Sequence, residues 1–428
     1  MSKQRTTTIG TLVEEGALEF GDGYRTKRPE LGTPGLPILR VAEVLDGRIS
    51  PAFTDHVQNS HIKKMGQKVS QPGDIVLTTK GTVGRVAIMP DSSPKFIYSP
   101  QVCYFRVNEK ASIDRGFLYN WLKSDQFWQQ ASSLMSQTDM AAYLNMADIR
   151  SLRITLPELW TQRSIAAALG ALDDKIAANE RISEASETLG SALFEKFFSE
   201  ASEFVLSDTP LPQGWSSSNL DHLTSEIETG RRPKGGIAKY ETGIPSIGAE
   251  SIRKLGKFDF SKVKYIPEDF FSSMKSGVIK DRDILVYKDG GKPGDFKPKV
   301  SMFGHGFPFN KMAINEHVYR VQMAPELGQN FGYYWLSSKP IMGIMRNLGT
   351  GVAIPGMNST SFKSLPVVSP PDELVERFND AVNPLTTSAL KAASESRTLA
   401  ELRDTLLPQL MSGKLRVKDA EKIVEDNV

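Results

Sequence analysis

The feature that most constrains this chain is an internal repeat with a period near half its length. In the 428-residue sequence, Pro37-Ile38-Leu39-Arg40-Val41 aligns with Pro245-Ser246-Ile247-Gly248-Ala249 at an offset of 208, and Asp74-Ile75-Val76-Leu77 aligns with Asp283-Ile284-Leu285-Val286 at 209. Phe105-Arg106-Val107 matches Tyr319-Arg320-Val321 at 214, as Trp121-Leu122 matches Trp335-Leu336, and the offset settles at 213 for Asn145 with Asn358 and for Pro157 with Pro370. Six anchors kept in order mark a duplication, so the two halves must fold alike. The jump from 209 to 214 predicts a longer loop in the second copy, within 288–316, a segment rich in Gly, Pro, Lys and Phe.

Each copy divides into two parts. Residues 1–156 and 215–369 carry short β-type runs: Asp74 to Thr79 and Val102 to Val107 in the first, Asp283 to Tyr287 and His317 to Val321 in the second. Gly, Pro, Asp and Ser punctuate them, and a helical stretch around Trp121 or Trp335 follows. That pattern predicts a mixed α+β domain. Residues 157–199 differ. Ile165, Leu169, Leu172, Ile176, Ile182, Leu189, Leu193 and Phe197 recur mostly at spacings of three and four, which predicts a long amphipathic helix. Residues 370–412 repeat this with Leu374, Phe378, Ala381, Leu385, Leu399, Leu402, Leu406 and Leu410. Each helix is expected to start at its proline, Pro157 or Pro370, and the second to stop at Gly413. Asn179 interrupts the first stripe and is expected to be partly exposed, the alternative being a buried Asn that fixes helix register. Asn383-Pro384 predicts a kink or break in the second helix, because proline lacks a donor and crowds the preceding turn. Residues 200–214 read as a linker, and 413–428 as a polar, frayed tail.

The chain is nearly neutral, with 52 Lys+Arg against 50 Asp+Glu, but the charge is unevenly spread. Residues 230–300 hold 16 basic against 9 acidic side chains, residues 22–110 hold 13 against 8, and residues 157–198 reverse the balance with 4 against 7. Basic globular parts joined by acidic helices attract phosphate locally while the total stays near zero. The single cysteine, Cys103, excludes an intramolecular disulfide and a Cys-based zinc cage. It is expected to be a buried, inert thiol on a strand and fits a reducing, cytoplasmic setting. No 18 apolar residues run together and the N-terminus lacks the apolar segment of a signal peptide, so neither a membrane partner nor secretion is expected.

Candidate DNA-contacting residues lie on the Gly-rich loops. They are Lys80, Thr82 and Arg85 in the first copy, and Arg231, Arg232, Lys234, Lys288, Lys292, Lys297 and Lys299 in the second. Lys and Arg suit both phosphate oxygens and guanine acceptors. No catalytic constellation accompanies them. GxxxxGK[ST], GxGxxG after a strand, HExxH and GxSxG are all missing, as is an Asn-Pro-Pro-aromatic or Asp-Pro-Pro-aromatic tetrad, and the five histidines show no ligand spacing. The expectation is a chain with no catalytic residue, no metal site and no cofactor of its own.

Further motifs resemble the specificity subunit of type I restriction-modification systems, over essentially the whole chain. The most specific are Leu402-Arg403-Asp404-Thr405-Leu406-Leu407-Pro408-Gln409-Leu410-Met411-Ser412-Gly413-Lys414-Leu415 and Leu211-Pro212-Gln213-Gly214-Trp215. Leu152-Arg153-Ile154-Thr155-Leu156-Pro157 with Gln162-Arg163, and Gly349 to Asn358 before the second helix, are also similar; Gln137 to Asn145 is the first copy's variant of the latter and adds Thr138 and Tyr143 to the candidate DNA-binding set. Val375-Glu376 replaces the Gln-Arg pair in the second helix, a departure that bears on partner contacts.

The resemblance implies an α+β fold class: two duplicated mixed α/β target recognition domains separated by two long antiparallel coiled-coil helices. It further implies that each domain reads one half of a bipartite, asymmetric site in double-stranded DNA, that the helices act as a spacer and dock two methylation subunits, and that restriction subunits then join. S-adenosylmethionine, ATP and magnesium are expected on those partners. Two other readings stay open on the residues alone: a self-contained DNA methyltransferase, which needs the missing tetrad, and a duplicated coiled-coil scaffold without a DNA role, which does not need the basic loops.

Overall fold

The computed structural model describes residues 4–427 apart from 92–93, 109–110, 139–140, 208, 291–295 and 350–354. The chain forms two compact units, Met1–Asp173 with Glu401–Val428, and Asp174–Ala400. Each unit thus takes one globular copy and one segment from each long helix.

The duplication shows strand by strand. In the first unit, Leu18–Asp22, Val102–Val107, Ile75–Thr78 and Val86–Ile88 form an antiparallel sheet in that order. A smaller sheet has Gly35–Leu39 at its centre, antiparallel to His56–Gln58 and parallel to Ile97–Tyr98. The second unit repeats both, with Thr224–Thr229, Val318–Met323, Ile284–Tyr287 and Val300–Met302 in one sheet and Lys264–Ile266, Ile244–Ile247 and Ala313–Ile314 in the other. Ile75–Thr78 is buried at every position, as a strand covered on both faces requires. Each copy opens on a strand that pairs antiparallel with the strand before its long helix, Arg5–Thr8 with Arg153–Leu156 and Ser216–Asn219 with Pro366–Ser369.

The sequence anchors now have physical reasons. Asn145 and Asn358 are N-caps whose Oδ1 atoms accept from Asp148 N and Ser361 N at 2.8 Å, opening the helices Met146–Ser151 and Ser359–Lys363. Trp121 and Trp335 are buried on the helices Arg115–Lys123 and Gly328–Ser337. Residues 288–299 join two strands that residues 79–85 join in the first copy, so the five-residue insertion sits in that hairpin. Cys103 is fully buried on its strand, and burial holds its thiol far above the usual range.

The long helices are Leu159–Phe197 and Asp372–Met411. Both begin after their prolines, so Pro157 and Pro370 are not first-turn residues; the helices are opened by the carbonyls of Glu158, which accepts from Gln162 N, and Pro371, which accepts from Val375 N. The second does stop where expected, with Gly413 in the left-handed region at φ 72°. In the first unit Arg403 Nη1 donates to Asp173 Oδ1 at 2.7 Å beside buried Ile165, Leu169, Leu172, Leu406 and Leu410. In the second, contacts pair Asn179 with Glu395, Ser183 with Ala389 and Phe194 with Phe378, an antiparallel run.

Four expectations change here. Asn179 is buried, and its Nδ2 donates to Glu395 Oε2 at 2.9 Å. Ile182 and Leu189 are exposed, and at this level it is the buried Ser183 that meets the other helix, its Oγ donating to Ala389 O at 3.2 Å. The second helix runs through Pro384 unbroken; Arg282 bridges the turn, donating to Asn383 Oδ1 at 2.6 Å and Thr387 Oγ1 at 2.7 Å. The stretches read as linker and frayed tail contain helices, Ser199–Ser207 and Val417–Asn427, the latter fixed by Arg416 donating to Asp419 at 2.8 Å and by burial of Ala420.

Candidate nucleic-acid interface

At the end of Ile75–Thr78, three segments distant in sequence meet. Thr79 N donates to Gln101 O at 2.9 Å, Leu144 N donates to Thr79 O at 3.1 Å, and Lys80 forms an isolated bridge with Tyr143. At the end of Ile284–Tyr287 the same lattice recurs. Lys288 N donates to His317 O at 3.0 Å, Met357 N donates to Lys288 O at 2.8 Å, and Asp289 bridges Gly356. The backbone is common to both copies, but the side chains are not. Lys80 corresponds to Asp289, Tyr143 to Gly356, and Gln101 to His317.

In the first copy the Lys80 ammonium lies 4.5 Å from the centroid of the Tyr143 ring, a cation–π contact that orients an exposed Lys. A cleft of about 430 Å³ opens beside it, lined by Tyr24, Arg25, Arg40, Ser99 and Gln101 among others. Thr82 is exposed on the loop. Arg85 is turned inward, its Nη1 donating to the carbonyls of Val41 at 3.3 Å and Val44 at 3.2 Å. Thr138 pairs through its backbone with Ala141 in the short hairpin that carries Tyr143.

In the second copy the cleft is about 710 Å³ and includes Arg232, Tyr240, Glu250, Lys264, Asn315 and His317. His317 hydrogen-bonds Asp289 through Nδ1, while its Nε2 lies 3.0 Å from Arg232 Nη2 and 3.2 Å from Glu316 Oε1. Arg232 also pairs with Glu316. Burial pushes the Glu250 carboxyl up, but the 2.9 Å contact with Lys264 and a backbone hydrogen bond outweigh it, so the net direction is down. This cleft therefore presents alternating charges and several acceptors, where the first presents cations and amides.

The remaining basic residues separate by exposure. Arg231, Lys234 and Lys297 are exposed. Lys288 is half-buried, its ammonium donating to Glu316 O at 3.1 Å. Lys299 stacks over the Tyr287 ring at 5.6 Å, and burial first, then the charge of Arg253, holds it below the usual ammonium range. Lys292 lies outside the described residues. Among the described residues no three His, Cys, Asp or Glu side chains gather as a metal site, and no helix is long and apolar enough to cross a membrane. Asp289, His317, Gln101 and Arg40 are not among the residues that the loops single out; extending the repeat alignment through Ser99-Pro100-Gln101 and Asn315-Glu316-His317 at an offset of 216 exposes Gln101 and His317, and the offset of 209 sets Asp289 against Lys80.

Comparison with known proteins shows what these features resemble. Residues 24–187 match the type I restriction modification DNA specificity domain. The chain is similar to the type I restriction enzyme MjaIX specificity subunit of Methanocaldococcus jannaschii, 21% identical over 85% of this chain and 82% of that protein. It is also similar to the HindI specificity subunit of Haemophilus influenzae, 20% identical over 89% of this chain and 95% of that one. Residues 24–187 thus carry a type I restriction modification DNA specificity domain, and the chain is similar to type I specificity subunits over most of its length. The fold agrees: the crystal structure of the S subunit from M. genitalium superposes with a TM-score of 0.58, covering 96% of each chain at 16% identity. The two copies share one backbone lattice but bear different side chains at its mouth.

Proposed function

We propose that this specificity subunit reads a bipartite, asymmetric site in double-stranded DNA, one half through each cleft, and is itself non-catalytic. The carrying observation is the shared lattice at Thr79–Lys80 and Lys288–Asp289, which holds Lys80 and Tyr143 in one copy and Asp289 and His317 in the other. A scaffold without a DNA role has no need for matched backbones with divergent polar mouths. Lys80, Thr82, Thr138 and Tyr143 serve the first half-site. Arg231, Arg232, Lys234 and the loop bearing Lys288, Lys292, Lys297 and Lys299 serve the second, with Lys297, Arg231 and Lys234 best placed for phosphate by their exposure. Arg85 supports the loop rather than the DNA.

Two methylation subunits dock on the helices, carrying S-adenosylmethionine, and restriction subunits supply ATP- and magnesium-dependent chemistry. Ile182 and Leu189, seven residues apart and 42% and 51% exposed, give the first long helix an apolar outer face for such docking. The test is an exchange of residues 215–369 for the equivalent domain of another specificity subunit, followed by methylation mapping of host DNA. One half-site should change while the other persists. Simultaneous change of both half-sites refutes independent reading, and methyl transfer by the purified chain alone refutes a non-catalytic role.

A further inference from the structure

The first unit contains an apolar groove of about 570 Å³ whose walls include Gln4, Thr161, Ile165, Leu410, Met411 and Val417, with Trp160 at its edge. Trp160 is 64% exposed, although its Nε1 donates to Glu158 Oε2 at 2.6 Å. The duplication supplies a direct comparison. Strand register aligns Arg5 with Ser216, which puts Gln4 in the place of Trp215. Helix correspondence aligns Ile165 with Phe378, Leu410 with Phe197, and Met411 with Phe198.

In the second unit those positions are filled from within. The Trp215 ring lies 6.1 Å from Phe198, and Phe378 sits 5.1 Å from Phe198 and 5.8 Å from Phe197. Leu211 and Trp215, from the segment Leu211-Pro212-Gln213-Gly214-Trp215, both pack on this core. In the first unit a glutamine replaces the indole, and Ile, Leu and Met replace three phenylalanines. Among the described residues the smaller side chains leave the space open, and Trp160 stands at its rim where the second copy has Glu373.

We propose that this groove receives a segment of one methylation subunit that presents an aromatic anchor beside an aliphatic residue, in the manner of Leu211 to Trp215. The proposal rests on the docking of methylation subunits inferred above. The second unit shows what such a groove accepts: a proline-bearing turn, closed by Trp215 N donating to Pro212 O at 3.1 Å, that ends in an indole. An aromatic ring in a preformed apolar pocket is the usual anchor of a protein interface. Because the second groove is already occupied by this chain, the two methylation subunits dock in non-equivalent ways, and only one of them is held by an anchor.

The experiment uses the full chain and purified methylation subunit, with a labelled peptide of residues 209–216 as the groove probe. The peptide should bind the full chain, and its Trp215→Ala form should bind at least tenfold more weakly. The filled variant Gln4→Trp/Met411→Phe should lose the peptide and weaken the assembly with methylation subunit at least tenfold. Trp160→Ala, which removes only an exposed ring, should weaken both in the same direction and gives the answer if the filled variant does not fold. Peptide binding lost but assembly unchanged overturns the proposal and leaves docking on the helices standing. Absence of assembly in the unaltered chain overturns the docking reading and the proposal with it. Peptide binding that emerges only when residues 1–3 are removed means the groove is covered from within, which also overturns it.

Discussion

Arg106 holds the fully buried carboxylate of Asp74 in a fork, its Nε and Nη2 each donating at 2.8 Å to a separate oxygen. Arg320 and Asp283 occupy the same places in the second copy, with a 3.0 Å bond from Nη1. Arg320 there also hydrogen-bonds Glu226 and Glu228, so one cation answers three carboxylates. Breaking a buried pair on one side costs about 3–5 kcal/mol, because the surviving charge stays out of water. Arg106→Met should therefore destabilise by about that amount in chemical denaturation, and Arg320→Met by at least as much. The double replacement Asp74→Leu/Arg106→Met should recover only part of the loss, since it removes both desolvated ions but leaves the Tyr98 hydroxyl and Gln71 N without the carboxylate they donate to at 2.7 and 2.8 Å.

Arg282 is the one non-glycine residue with positive φ among those described, at 60°, and its guanidinium clamps the turn around Pro384. These two facts oppose each other in a mutation. Arg282→Ala loses the clamp and keeps a left-handed backbone that costs about 1–2 kcal/mol for a side chain with Cβ. Arg282→Gly loses the clamp but relieves the backbone. The glycine variant should be the more stable of the two, and both should raise amide exchange in residues 385–388. Equal exchange in variants and parent would show that the helix bridges Pro384 without help.

The carboxyl of Glu30 is drawn down to about 2, first by the 2.6 Å hydrogen bond from Lys64 and then by the Lys27 backbone N–H. A depressed carboxyl contributes stability that is present above its unfolded pKa of about 4.3 and is lost as pH falls through its folded value. The first unit should thus lose stability between about pH 4.3 and 2, and Lys64→Met should shift the Glu30 titration upward by NMR and shrink that acid-range loss. An unmoved Glu30 titration in Lys64→Met would assign the depression to the Lys27 N–H and the Tyr24 hydroxyl, which donates at 3.1 Å.

How far the sequence disclosed this architecture depends on whether a residue's role is local or set by a partner. The repeat was legible because it rests on groups that each copy must satisfy by itself: the Asp74 and Asp283 pairs, the Asn145 and Asn358 caps, and the buried tryptophans. The helix seam differs from the stripe at Asn179, Ile182 and Leu189 because periodicity gives an apolar stripe but not which side meets the other helix, and here polar Asn179 and Ser183 make the contacts with Glu395 and Ala389. Local rules predict a kink or break at Pro384 because Arg282, distant in sequence, is invisible to them. At the candidate interface, Lys80 was found from its Gly-rich loop, while Asp289 and His317 were passed over because an acidic residue on a basic loop looks like noise until the two copies are superposed. Arg85 shared Lys80's signal yet points inward, so loop chemistry alone does not separate a DNA reader from a loop support.

The matched positions Lys80 and Asp289 give the sharpest test of two-site reading. Lys80 is an oriented cation, held over Tyr143, and suits the O6 and N7 acceptors of guanine. Asp289 is an acceptor beside His317 and suits an amino donor, N4 of cytosine or N6 of adenine. Lys80→Ala should cost about 1–3 kcal/mol at one base pair of the first half-site and relax preference there, leaving the second half-site untouched. Asp289→Asn should do the converse. Neither should alter the salt dependence as a phosphate contact does, whereas Lys297→Ala should lower the log–log salt slope by about one while weakening all sequences alike. Binding of the assembled methyltransferase to a panel of single-base variants across a salt series measures all three. Loss spread evenly over both half-sites for Lys80→Ala, or a reduced slope, would move Lys80 from base reading to phosphate contact. The same result for Asp289→Asn, whose carboxylate cannot attract phosphate, would remove this lattice from the DNA surface altogether.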